Sequence, residues 1–200
     1  MPNDDDFALM VSGLVRRSPA AAAQAFRRFA PLVNRVLRRI LGTADVEDEA
    51  QDVFLHLFRR IGSLRDPQAL PAFVLTLATR AAQWELRKRA LRRMIQLSPT
   101  GEPPDQPTDE PDWGSRQAVR AFYRILDGLR ATDRTAFVLR FVEKMEMKDV
   151  AIALGVSEST AKRRTSSAWQ RVQARVSNEP ALLGYAQTAG SSTREEGPHV

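Results

Sequence analysis

The run from Ser98 to Gly114, SPTGEPPDQPTDEPDWG, limits what this chain can fold into more than any other feature. It holds five prolines and five acids, with neither lysine nor arginine. Proline fixes φ and lacks the amide that helices and sheets need, and clustered carboxylates oppose collapse. The run therefore predicts an extended linker over 96–114, with folded structure confined to either side of it. Residues 1–95 and 115–177 are then read as two small domains, a division that a chain of 200 residues accommodates. Residues 187–200 are Ser, Thr, Gly and charge without any period, and 178–200 is read as a disordered tail.

Both halves read as helix, so the expected fold class is all-α. Sustained period-two alternation is absent and β-branched clusters are few. Ser18-Pro19 caps and opens a first helix, which Pro31 is expected to kink or restart and Gly42 to close. Its apolar stripe is Phe26, Phe29, Leu32, Val33, Val36, Leu37 and Ile40. A second helix is expected over about Val46 to Ile61, with Ala50, Val53, Phe54 and Leu57 inward. A third follows Asp66-Pro67, carries Leu70, Phe73, Val74, Leu77 and Ala81, and ends among arginines. Beyond the linker, Val119, Phe122, Ile125, Leu126 and Leu129 mark one helix, and Phe137, Val138 and Phe141 another.

The stretch Met147 to Val172, MKDVAIALGVSESTAKRRTSSAWQRV, completes the second half as a helix-turn-helix. Ala151 is small where the first helix must approach the second, and Gly155 ends that helix where a positive φ is cheap only for glycine. Ser157 is a good N-cap for the next helix. Ser157, Ser159, Thr160, Lys162, Arg163 and Arg164 then cluster at the end of a helix that in such motifs meets base edges and phosphates. The plainer reading is a helical hairpin with a solvated basic face.

Overall charge decides little between the two readings, since a basic chain also suits an acidic membrane surface. The net charge is +6 with a pI near 10.4, and the cations are almost all arginine, the residue suited to bidentate phosphate and guanine contacts. From Arg80 to Arg93 the third helix sets Arg80, Arg87, Lys88, Arg89, Arg92 and Arg93 against Glu85 alone, an imbalance expected of a phosphate track. Trp84 within it has two readings, a platform for an unpaired base or a core residue in line with Leu77 and Ala81. In the second helix, Asp45, Glu47, Asp48, Glu49 and Asp52 lead and Arg59 and Arg60 trail, which suits the helix dipole and equally a basic partner.

Other classes are disfavoured. The chain has no cysteine, so disulfides and thiolate-ligated zinc are excluded. The opening MPNDDDFALM has no basic n-region and long apolar core, and no run approaches the roughly 18 apolar residues of a membrane span. A cytoplasmic protein without membrane insertion is expected. Asp52 and His56 share a helix face with Glu49, but a helical metal site needs matching carboxylates from other helices, and the third helix offers only Glu85 among arginines. No metal, no cofactor, no small-molecule substrate and no catalytic residue is expected, hence no enzyme.

Two stretches resemble the sigma-70 family of RNA polymerase sigma factors, in its small extracytoplasmic-function class. DVEDEAQDVFLHLFRRI, Asp45 to Ile61, is similar to the family's polymerase-binding segment, with Gln51-Asp52-Val53-Phe54 at its centre. VLRFVEKMEMKDVAIALGVSESTAKRR, Val138 to Arg164, is similar to its C-terminal DNA-binding domain. The resemblance implies an alternative sigma factor: a first domain that docks on core RNA polymerase and helps open the minus ten element of promoter DNA, and a second that reads the minus thirty-five element. It assigns polymerase binding to Asp45, Asp48, Glu49, Gln51 and Asp52. It assigns the minus ten element to Arg80, Trp84, Arg87, Lys88, Arg89 and Arg92, and the minus thirty-five element to Ser157, Ser159, Thr160, Lys162, Arg163 and Arg164. It also implies an anti-sigma factor as antagonist. Many relatives carry an asparagine near Arg80 and an aspartate near Trp84, both absent here, a departure from the usual readout of the minus ten element. Ala161, Thr165 and Trp169 depart from the family's recognition helix, so its DNA sequence preference does not carry over. The competing readings are a non-transcribing sigma-like decoy, a helix-turn-helix regulator and a purely protein-binding adaptor.

Overall fold

The computed structural model describes residues 4–95 and 113–182, and every regular element among them is helical. The first helix, α1 (Asp4–Val15), has no counterpart in the sequence reading. Its signal is nevertheless present, since Phe7, Met10, Val11 and Leu14 recur at helical spacing and all four are buried. Helix α2 (Pro19–Leu41) starts where Ser18 accepts a bond from the Ala21 amide and stops at Gly42, whose φ is 69°. Pro31 does not restart it. The proline sits on the exposed side while Phe29, Val33, Val36, Leu37 and Ile40 hold one buried stripe across it.

Helix α3 (Glu47–Arg60) has its acids in the first turn and Arg59 and Arg60 in the last, and Val46 precedes it without a side-chain cap. A single-turn helix at Pro67–Ala69, capped by Asp66 through the Gln68 amide (2.9 Å), leads into α4 (Leu70–Ile95). Helices α2 and α3 pack on α4, and α1 packs on α2.

The second group begins with α5 (Trp113–Asp127), so Trp113 and Gly114 are helical rather than part of the linker expected over 96–114. The rest of that linker, 96–112, lies outside the described residues. Helix α6 (Ala131–Phe137) continues as a π-helical stretch over Val138–Val142, followed by α7 (Met147–Leu154) and α8 (Glu158–Val176). Helices α5, α6 and α7 all pack on α8. Of the tail expected over 178–200, residues 178–182 are described and pack on the fold. Leu182 is buried in the core and Glu179 pairs with Arg124 at 3.6 Å, because an apolar side chain just past the last helix found a place to pack. Residues 183–200 lie outside the described residues.

The two helical groups touch. Helix α4 meets α6 and α7, the π-helical stretch meets α2, and one continuous buried cluster runs through both groups.

Candidate nucleic-acid and partner interface

Helix α7 and helix α8 are joined at Gly155, whose φ of 64° lets its amide return to the carbonyls of Ala151 and Ile152. Ser157 then caps α8. Its hydroxyl accepts from the Thr160 amide at 3.3 Å and lies within hydrogen-bond distance of the Ser159 and Thr160 hydroxyls (3.1 and 2.9 Å). Ala161, Thr165, Ala168 and Val172 form the buried face of α8. At about 100° per residue, Ser159, Arg163, Ser166 and Gln170 centre the opposite face, and all four are exposed. Arg164, Ser167 and Arg171 lie on one flank of that face. Lys162 lies on the other, where it pairs with Glu158 at 2.9 Å.

The arginine flank is completed by the start of α6. Arg130, Thr132 and Asp133 join Arg163, Arg164, Ser167 and Arg171 around an open cavity of about 340 Å³. Asp133 is held by Arg171 at 3.6 Å, and among the described residues no acid pairs with Arg130, Arg163 or Arg164. Such a basin suits a phosphodiester. The sequence reading missed Arg130 and Arg171, since their approach depends on how α6 packs on α8. The one available signal was that Arg171 falls two turns beyond Arg164 on the same flank.

On α4 the candidate residues separate. Arg80, Arg87 and Arg92 are exposed, and Trp84 is 55% exposed with the Lys88 ammonium 4.8 Å from its ring centroid. Of its two readings, the core position is therefore overturned. Arg89 and Lys88 are partly occupied: both pair with Glu85, which is buried, at 2.9 and 3.5 Å, and Arg89 also reaches the Leu41 carbonyl at 3.4 Å. Arg89 thus ties α4 to the end of α2.

On α3, Asp48, Gln51 and Asp52 are exposed, as is Asp45 just before the helix. Glu49 is half-buried, turned toward Glu85 and Arg89, and burial raises its carboxyl above the ordinary 4.5. Beside the acids an apolar trough of about 490 Å³ opens between α2 and α3, lined by Phe26, Ala30, Gln51, Phe54, Leu55 and Phe58 among others. Phe26, Leu55 and Phe58 are exposed, and the Phe26 and Phe54 rings stand 4.7 Å apart. The spacing of Phe26 from Phe29 and Val33 fits a core stripe, yet the structure leaves Phe26 exposed. It lies at that stripe's edge, where Phe54 covers only part of it.

Residues 25–92 match the family model described as Sigma-70 region 2, and residues 119–171 match Sigma-70, region 4. The chain is 30% identical over 137 residues to the ferric citrate uptake sigma factor FecI of Escherichia coli (strain K12), covering 66% of this chain and 76% of that protein. Its fold is similar to CnrH in complex with the cytosolic domain of CnrY, with a TM-score of 0.59 and 16% identity, over 86% of this chain and 97% of CnrH. It is also similar to the sigma factor RpoE in complex with the anti-sigma factor NepR from Bartonella quintana, with a TM-score of 0.56 and 21% identity, over 78% and 96% of the two chains.

Proposed function

The chain belongs to the sigma-70 family, in its extracytoplasmic-function class, and from that premise we propose how its surfaces divide the work of an alternative sigma factor. It binds core RNA polymerase and directs it to specific promoters to initiate transcription; it is a DNA-binding regulator. Helices α1–α4 form the polymerase-docking and minus ten unit, and α5–α8 the minus thirty-five unit. The observation that supports docking best is the trough between α2 and α3, an uncovered apolar surface rimmed by Gln51 with Asp48 and Asp52 beyond. Exposed apolar patches with polar rims are characteristic of protein interfaces, and Phe26, Leu55 and Phe58 would anchor one here. Glu49, half-buried, offers a partner less of its charge than Asp48 and Asp52.

On α4, Arg80, Arg87 and Arg92 track the phosphates of the opening strands, and Trp84 offers its face to an unpaired base. On α8, Arg163 faces base edges, while Arg130, Arg164 and Arg171 hold the backbone. The protein works in the cytoplasm, on the nucleoid. An anti-sigma factor restrains it, a reading supported by the two similar folds, each solved with a protein partner.

Purified core polymerase and the charge-reversed variant Asp48→Lys/Asp52→Lys, alone and with Phe58→Asp, provide the test. Each should lose co-migration with polymerase by at least tenfold while keeping helicity, since changes on exposed positions cost little stability. Arg87→Ala/Arg92→Ala should bind polymerase normally yet open promoters poorly. Normal polymerase binding by the triple variant sinks the docking assignment. Docking without transcription from any promoter identifies a decoy.

A further inference from the structure

An indole on a helix surface rotates among several rotamers, and ordering it against a ligand costs affinity. Trp84 is exposed on α4, yet its ring has a neighbour. Lys88, one turn on, brings its ammonium 4.8 Å from the ring centroid. A cation so placed is attracted by the negative face of the ring and covers that face.

A lysine side chain is flexible, and its ammonium would roam if nothing held it. Here Glu85 holds it, at 3.5 Å. The Glu85 carboxylate is itself fixed. Only 8% of its side chain is exposed, and a buried charge is costly unless paired. Arg89 Nε meets it at 2.9 Å, and Arg89 Nη1 donates to the Leu41 carbonyl at 3.4 Å. A line of contacts thus runs from the end of α2 through Arg89, Glu85 and Lys88 to the Trp84 ring. Its members stand three or four residues apart on α4, the spacing at which helical side chains meet.

The same contacts make Lys88 a poor phosphate ligand. Its charge is shared with a buried acid, whereas Arg80, Arg87 and Arg92 are all exposed. Arg80 lies one turn before Trp84 and Lys88 one turn after, so the arginine and the lysine flank the ring on opposite sides. A base stacked on the ring face away from Lys88 would have its backbone beside Arg80.

We propose that Lys88 is a positioning residue: anchored by Glu85, it holds Trp84 with one face covered and the other open to a single unpaired base. This rests on the role proposed above for Trp84 toward the opening strands. A ring covered on one side is a platform, unlike a wedge inserted between two bases, which needs both faces.

The full-length chain tests this with a short oligothymidylate as the probe. Trp113→Phe/Trp169→Phe leaves Trp84 as the sole indole, and phenylalanine at 169 keeps a ring beside Phe137 and Phe141. In this parent the oligonucleotide should quench Trp84 emission to saturation. Lys88→Gln should lower the anisotropy of Trp84 emission in the free chain, because the ring is released. It should also raise the half-saturation point severalfold while keeping the slope of log affinity against log salt. Lys88→Arg, which returns a cation to the ring, should restore both values. A slope smaller by about 0.7 in Lys88→Gln marks an ordinary single-strand phosphate contact and overturns the positioning role. Anisotropy or half-saturation unchanged by Lys88→Gln, or not restored by Lys88→Arg, overturns it as well. Absence of quenching in the parent means that Trp84 takes no base, which contradicts the role of Trp84 itself and removes the proposal with it.

Discussion

At the residue scale, the position of a side chain on its helix separates several otherwise identical arginines, and in the proposed function it sets which of them would read sequence. Arg163 lies at the centre of the exposed face of α8, while Arg130 stands at its flank beside a basin shared with Arg164 and Arg171. Arg163→Ala is expected to cost about 1–3 kcal/mol on the cognate promoter and to relax preference at one base pair. Arg130→Ala should weaken all duplexes alike and reduce the slope of log affinity against log salt by about 1. Binding titrations across salt on cognate and scrambled duplexes check both. Glu49 makes a separate case. Burial raises its carboxyl, so the folded protein holds a proton that the unfolded chain gives up above 4.5. Its contribution to stability is present below 4.5 and lost as pH rises through the raised value. Glu49→Gln, always neutral, should therefore be more stable than the parent at pH 7, with the difference vanishing toward pH 4, as urea midpoints at the two pH values would reveal.

At the element scale, packing overrode a local signal in α2. Proline inside a helix removes one amide donor and crowds the preceding turn, a cost of about 3 kcal/mol. Helix α2 nonetheless runs through Pro31 because the buried stripe on either side belongs to one core. Pro31→Ala should raise the unfolding free energy by about 1–3 kcal/mol, measured by urea denaturation, with no change in DNA affinity. The caps, by contrast, were legible one by one. Ser18, Gly42, Gly155 and Ser157 sit where local chemistry puts them, since a cap needs only its own neighbours in sequence. The apolar spacing of Phe7, Met10, Val11 and Leu14 in α1 is equally local.

At the scale of the whole molecule, Arg134 couples two helical groups that the sequence presents as separate. Burial lowers its pKa, against the raising influence of Asp127, yet it stays charged because its ordinary value is so high. Removing it takes away charge-assisted bonds to Ile40 O and Asp127, each worth about 1.5–3 kcal/mol. In calorimetry the parent should melt in one cooperative transition. Arg134→Ala should melt in two, the second helical group no longer borrowing stability from the first.

The sequence by itself determined the helical class, the order of most helices, the helix-turn-helix and the two stretches that carry the family. These depend on periodicity, caps and turn residues, which act over a few positions. It also brought Arg163 and the acids of α3 into view as candidates, because each lies in a contiguous motif. Only the tertiary structure decided that Trp84 is exposed, that Glu49 is half-buried, that Arg89 ties α4 to the end of α2, and that Phe26, Leu55 and Phe58 edge an open trough. Only it joined Tyr123, Arg134 and Glu143 to the end of α2 across 84, 94 and 104 positions of chain. Contacts at that separation leave no periodic trace. They follow from how rigid helices, once formed, bury their remaining apolar faces and satisfy their last carbonyls.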